Sequence, residues 1–246
     1  LKVRSILADL HIHTALSPCA DGEMTPPAIV HEAVMKGLGM IAICDHNSAA
    51  NTEAVQKAAG GLLTVIAGME ITTAEEVHVI GLFPTVQSAA GASDLVGAAL
   101  PDMDEGSPRH QRQLVMDADG APLRLETKAL YGSTTFTLGQ TVALIRRFDG
   151  LVIAAHVDKP GFSVPGQLGI FPEDVVFDAF EVSIGGVRSR RYERFLPPGA
   201  TVITSSDGHY LCDVGSSCTV LELLGPSFEE LAAALAGAGE RRCRFA

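Results

Sequence analysis

The sequence predicts an α/β barrel with a mainly parallel sheet, on three observations. Short runs rich in Ile, Val and Leu alternate with helical patterns along the chain. Many of those runs end in histidine or carboxylate, as at Asp9, His11 and His13, at Asp45 and His46, at Glu70, His78 and His156, and at Asp207 and His209. Such residues can act together only if the strand ends meet, and closing the sheet brings them to one rim. A length of 246 residues, 47% hydrophobic and 19% charged, suits one globular domain over 1–246.

Each element follows from its local pattern. A first strand is expected over 5–10. The helix after it opens at Thr25-Pro26-Pro27, with threonine as cap and proline in the first turn; Ile29, Val30, Ala33, Val34 and Leu38 keep a helical period until Gly37 and Gly39 stop it. A strand at 40–44, a helix at 51–59, and strands at 63–67 and 77–82 come next. From about 84 to 137 the rhythm breaks. Within this insertion 113–116, a turn at Asp117-Ala-Asp-Gly120, and 122–125 read as a β-hairpin between Gly- and Ala-rich connections. It could serve as a lid or an oligomer contact, or be a surface embellishment. A helix over 137–148 restores the alternation, followed by strands at 151–155, 179–183 and 200–204. Ser227 and Glu230 have capping-box spacing ahead of a last helix.

The chemistry is carried by residue type and spacing. Side chains alternate faces along a strand, so His11 and His13 point to one side and can grip one ion, as can Asp207 and His209 if the backbone there stays extended. Imidazole with carboxylate suits zinc, iron or manganese, and such ions at a barrel mouth activate water. The net charge of −11 argues against a broad basic surface for duplex nucleic acid. Five cysteines, an odd number with no CxxC pair, exclude a disulfide framework and fit a reducing cytoplasm. Cys19, Cys44 and Cys212 lie near the proposed ligands; a thiolate ligand is the alternative to their role as small buried hydrophobes. No apolar stretch reaches the roughly 20 residues that span a bilayer, and no signal-peptide pattern opens the chain.

Three blocks in order, Asp9-Leu-His-Ile-His13 with Asp21-Gly22, Ile41-Ala-Ile-Cys-Asp45-His46-Asn47, and Ser206-Asp-Gly-His209, resemble the PHP (polymerase and histidinol phosphatase) family of metal-dependent phosphoesterases. The resemblance implies a distorted (β/α)7 barrel carrying the hairpin-containing insertion, and a trinuclear centre of Zn, Mn or Fe. It implies that His11, His13, Glu70 and Asp207 hold one ion, that Glu70 bridges to a second held by His78 and His156, and that Asp21, His46 and His209 hold the third. Some relatives have histidine where Asp21 stands, which makes this third site harder. After His156 many relatives have proline, where this chain has Val157-Asp158-Lys159-Pro160. Asp9 and Asp45 could take the free N–H of a ligating imidazole or act as ordinary turn carboxylates, and Glu181 could face the same cavity or sit as a rim acid.

For the substrate phosphate, Arg188, in the Arg188, Arg190 and Arg191 cluster after Gly185-Gly186, and Lys159 are the candidates. Three divalent ions against three ligand carboxylates leave a cavity of about +3, which favours a small anionic substrate. The expected reaction is hydrolysis of a small phosphate monoester by a metal-bridged hydroxide, with His11, His13, Glu70, Asp207 and Arg188 or Lys159 as the catalytic set. The alternatives are an exonuclease or nucleotide-end phosphodiesterase, weakened by the absence of Trp and the 5% of aromatic residues, and a non-catalytic metal-dependent regulatory module. The expected partners are therefore a small phosphorylated substrate, with no broad duplex nucleic-acid binding and no membrane; nothing signals an oligomeric state. His31 and His110 are assigned no function.

Overall fold

The computed structural model describes residues 2–104, 106 and 113–246; His110 lies outside them. In chain order the strands are β1 (Arg4–Ile12), β2 (Met40–Ile43), β3 (Thr64–Thr72), β4 (His78–Phe83), β5 (Leu114–Met116), β6 (Pro122–Leu125), β7 (Leu151–Ala154), β8 (Ala179–Val182), β9 (Val202–Thr204), β10 (Thr219–Leu223) and β11 (Arg242–Phe245). The helices are α1 (Pro26–Met35), α2 (Thr52–Ala59), α3 (Val86–Ala98), α4 (Leu138–Arg147), α5 (Val164–Leu168), α6 (Ile184–Ser189) and α7 (Phe228–Leu235).

Nine strands form one sheet in the order β11, β10, β1, β2, β3, β4, β7, β8, β9, and β5 pairs with β6 as the expected hairpin. The sheet curls towards closure. The first half of β1 pairs with β10, whereas its far end meets Gly208, just past β9, in a parallel bridge where the His13 N–H donates to the Gly208 carbonyl at 3.0 Å. Seven strands, β1 to β4 and β7 to β9, thus make the barrel wall, with β10 and β11 added at the seam. The architecture is the distorted seven-stranded barrel with a hairpin-bearing insertion.

Two features differ from the expectation. The sheet is mixed, because β4 runs antiparallel to both β3 and β7. Only residues 73–77 join β3 to β4, and a parallel crossover needs a dozen or more. The start of β4 therefore lies at the same rim as the ends of its neighbours. The stretch expected as a Gly- and Ala-rich connection contains α3, the longest described helix. Its small residues give little apolar contrast, yet Thr85 caps it by accepting from the Ser88 N–H, and an added Cβ at Gly91 would come within 2.6 Å of the Phe148 ring. A narrow stripe of small residues, Ala89, Ala92 and Val96, seats this helix in the core, and Gly91 allows the close approach to Phe148.

Other local signals fare unevenly. Thr25 stands at the start of α1 but makes no capping bond, and Pro26 in the first turn does the work instead. Ser227 caps α7, yet the Glu230 carboxylate accepts from the Leu224 N–H and pairs with Arg241, so the reciprocal half of that capping box does not form. The full box belongs to Thr137 and Gln140 on α4.

Three large clusters of buried apolar residues show which way the strands face. One gathers Ala8, Leu10, Met40, Ala42, Ile66, Ile80, Leu82, Ile153 and Ala179, and the only helix it meets is α7: this is the barrel interior, closed at its bottom. The others join opposite faces of the same strands to α1 and α2, or to α3 and α4. Hydrophobic burial at about 25 cal/mol per Å² on both faces of the wall is the main stabilising term. Among the described residues no helix is long and apolar enough to cross a membrane.

Candidate metal centre

The inward faces of the strands are apolar at the bottom and change to histidine and carboxylate at the top. On β3 the inward series runs Ile66, Gly68, Glu70, and on β4 it runs upward from Leu82 through Ile80 to His78. On β1 the register slips between Asp9 and Ile12, a bulge that turns His11 and His13 inward above Ala8 and Leu10. His156, one residue past the inward Ala155, reaches the same space through a φ of +29°, and Asp207 has a φ of +52°. These left-handed conformations are rare outside glycine and cluster at functional sites. The Asp207-Gly-His209 segment is accordingly a turn, not the extended pair the spacing suggested.

The cluster is built around Glu70, which is 1% exposed. Its Oε2 lies 3.4 Å from His11 Nε2, 3.4 Å from His13 Nε2 and 3.1 Å from His46 Nδ1; its Oε1 lies 2.8 Å from His78 Nδ1 and 3.2 Å from His156 Nε2. Asp207 Oδ1 stands 3.6 Å from His11 Nε2 and 3.3 Å from His13 Nε2. Three groups have ligand atoms within 4.8 Å of one another: His11, His13, Glu70 and Asp207; His46, Glu70 and His78; and His13, His46 and His209.

A layer behind these side chains fixes their tautomers. Three donors, the Thr14 N–H, Thr14 Oγ1 and Ser17 Oγ, each lie 2.7 Å from the buried Asp45 carboxylate. Ser17 has spent its one hydrogen there, so it accepts from the His46 N–H at 3.0 Å and from His13 Nδ1 at 2.9 Å. His13 therefore carries its proton on Nδ1. His11 Nδ1 likewise faces the Glu181 carboxylate at 3.1 and 3.2 Å, and His209 Nδ1 donates to the Asp207 carbonyl at 2.8 Å.

With protons held on the outer nitrogens, the Nε2 lone pairs of His11 and His13 face each other 3.1 Å apart. Two acceptors cannot satisfy one another, and both also face carboxylates. Glu70 Oε2 and His156 Nδ1 are buried without a hydrogen-bond partner. A cation resolves this excess of acceptors, so the donor set fits divalent metal. The electrostatics agree. Burial alone would raise the Glu70 carboxyl, but His78, His11 and His46 outweigh it and hold it well below the ordinary carboxylate range. Burial opposes a charge on His11 too, yet Glu181, Glu70 and Asp207 together push it well upward: with no ion beside it His11 would take a second proton on Nε2, so a positive charge is favoured at this point, and a metal ion would stand in that proton's place. Burial lowers His13 to about 4.

The candidates distribute as follows. His11, His13, His46, Glu70, His78, His156, Asp207 and His209 converge. Asp21 stands apart from the three groups: its Oδ1 accepts from the Glu23 N–H at 2.8 Å, and His13 fills out the group of His46 and His209. Lys159 Nζ is 2.6 Å from Asp207 Oδ2. Arg188 is exposed on α6, and no described ion pair joins it to the cluster. Asp9 accepts from the Ser206 and Gly215 N–H groups, tying down the loop that carries Asp207 and His209 rather than an imidazole. Cys44 is buried and Cys19 exposed, and neither belongs to any of the three groups, against a thiolate ligand at either. His31 is exposed on α1. Ser17 was not singled out from the sequence, since a lone serine four residues past a histidine carries no pattern.

The cluster opens into a cavity of about 180 Å³ lined by His46, Glu70, His78, His156, Lys159, Gly161, Phe162, Asp207 and His209. A second cavity of about 530 Å³ shares His46, His78 and Phe162 with it and adds Pro18, Cys19, Thr72 and Tyr131.

The family model described as PHP domain matches residues 9–147, more than half of the chain. The 5'-3' exoribonuclease Rnm of Salmonella typhimurium is 38% identical over 84 residues, which are 32% of this chain and 28% of that protein. The lesion-specific endonuclease PfuEndoQ of Pyrococcus furiosus has a TM-score of 0.72 at 19% identity, over 98% of this chain and 58% of that one. Endonuclease Q in complex with a 27-mer duplex bearing an abasic lesion gives a TM-score of 0.69 at 18% identity, over 97% of this chain and 58% of that one. The matches thus span less than two thirds of each relative, and the two structures share the fold.

These relatives correct one expectation. A small phosphorylated substrate with no duplex nucleic acid was inferred from whole-chain charge and aromatic content, whereas the similar proteins process RNA or hold a DNA duplex. Whole-chain averages describe the outer surface. Substrate choice depends on the few residues around the mouth.

Proposed function

We propose, from the premise that this chain belongs to the PHP domain family of metal-dependent phosphoric ester hydrolases, that it is a nuclease hydrolysing phosphodiester bonds at or near nucleic-acid ends in a single barrel domain. The observation that carries this reading is the buried cluster of six histidines, Glu70 and Asp207 at the rim, in a chain whose matched segment is 38% identical to an exoribonuclease. His11, His13, Glu70 and Asp207 would hold one divalent ion, Glu70 with His78 and His156 a second, and His46 and His209 a third; His13, with one free lone pair, would serve only one of the two ions it stands between. Imidazole with carboxylate suits manganese, iron or zinc. Bound there, the ions supply Lewis acidity toward a phosphoryl oxygen and make water nucleophilic near neutral pH.

The chain's own residues do the rest. Lys159 points its ammonium into the cavity, and Asp207 raises its pKa against the opposing effect of burial, so it stays charged beside a substrate phosphate. Glu181 and Ser17 hold His11 and His13 with their Nε2 atoms aimed inward. The test is incubation of 5'-phosphorylated RNA and DNA oligonucleotides with protein loaded separately with manganese, iron or zinc. Stepwise shortening with release of mononucleotides is the expected result; release of phosphate from mononucleotides without any shortening would overturn it.

Ser17→Ala removes the acceptor that fixes the His13 tautomer. Metal affinity is expected to fall on the order of 10-fold, with the fold intact, because outer partners of this kind set ligand orientation. Competition with a fluorescent chelator measures it.

A further inference from the structure

Resting on the nuclease reading, we propose that Phe162 is the platform on which the base of the nucleotide bearing the scissile phosphate stacks. Three observations converge on it. Phe162 lies in the shared wall of the cluster cavity and the 530 Å³ groove. Its ring stacks on that of His78, centroids 4.6 Å apart and planes 24° apart, although the side chain remains 46% exposed. Its backbone sits at φ +58°, a true outlier for a bulky residue, and its carbonyl accepts the His78 N–H at 2.8 Å.

Burial of the ring does not account for a strained backbone, since nearly half of the residue faces solvent. Strain of this kind persists where the surroundings over-determine it and where the side chain's position matters. Here His78 holds the ring against the cluster and leaves part of it to the groove.

The occupant follows from chemistry. A phosphate at the cluster fixes the atoms bonded to it, and the group of a nucleotide that reaches an adjacent, mainly apolar groove with a flat face is the base. Tyr131, 45% exposed, lines the same groove, so two of the three large exposed aromatics among the described residues meet at this mouth. Stacking is tolerant of sequence because every base has a π face. A low aromatic content is thus compatible with nucleic-acid binding when the few rings are concentrated at the site.

The experiment uses two probes with metal-loaded protein: aminopurine riboside 5'-monophosphate, and a 5'-phosphorylated trinucleotide with phosphorothioate linkages whose first base is aminopurine. Aminopurine fluorescence is quenched by stacking. Wild type and Phe162→Tyr are expected to quench both probes; Phe162→Leu and Phe162→Met are expected to lose the quenching and bind about 10-fold more weakly. Equal quenching and affinity in wild type and either ringless variant would overturn the platform. Quenching of the mononucleotide that depends on the Phe162 ring, in a protein that shortens no oligonucleotide, would sustain the platform while removing the nuclease reading.

Discussion

Replacing Glu70 with glutamine is expected to lower turnover on the order of 10³-fold and to reduce the metal content of the protein, while the barrel stays folded. Among the described residues no other side chain meets so many imidazoles: five stand within 3.4 Å of its two carboxylate oxygens. Glutamine keeps the shape but changes two things. It removes one of the buried negative charges that offset the cations, and it places an N–H₂ donor where nitrogen lone pairs converge. The melting temperature should fall as well, because glutamine gives up both the carboxylate that the imidazoles hold well below its ordinary range and part of the ion binding that stabilises the folded chain. Elemental analysis and turnover on oligonucleotides, with circular dichroism to confirm the fold, measure each part. A Glu70→Gln protein with wild-type metal content and rate would refute the central position given to this residue.

Stripping the ions with a chelator is expected to abolish turnover and to lower the melting temperature, and re-addition of divalent metal should restore both. The second readout follows from the same geometry as the first. Without cations, Glu70, Asp207 and Glu181 crowd one largely buried space and draw a proton onto His11 instead, so ions that bind only the folded chain must stabilise it. At a free ion concentration 100 times the dissociation constant the gain is about 2.7 kcal/mol, or roughly 5–10 °C for a domain of this size. A melting temperature that ignores metal up to millimolar concentrations, together with full activity after chelation, would remove the metal centre from the account.

Much of the wall was legible because its signals are local. The seven barrel strands fall where the apolar runs predicted them, and β5 and β6 flank the Asp117 to Gly120 turn as its sequence required. Strand β4 shows where local reading stops: its residues say strand but not direction, and direction came from the short link at 73–77, whose meaning depends on β3 and β4 being neighbours. Strands β10 and β11 were not foreseen, since β10 pairs with β1 across most of the chain length and β11 pairs with β10 in turn. Helix α3 was missed because its buried stripe is mostly alanine, Ala89 and Ala92 with Val96, too weak a contrast with its small outer residues to read, and Gly91 fits it against Phe148.

By itself the sequence determined the chemistry available to this protein: which residues carry imidazole and carboxylate, and that they stand at strand ends where closure can gather them. Tertiary structure decided their working relations. It set Asp21 apart from the three groups and placed His13 beside His46 and His209, brought Lys159 but not Arg188 to the cluster, set Ser17 and Glu181 against the outer nitrogens of His13 and His11, and put Phe162 at the mouth. The reason is physical: a ligand's identity is a property of one residue, whereas coordination depends on distances of about 3 Å between atoms far apart in the chain, and those are set by bulges, left-handed turns and strand register.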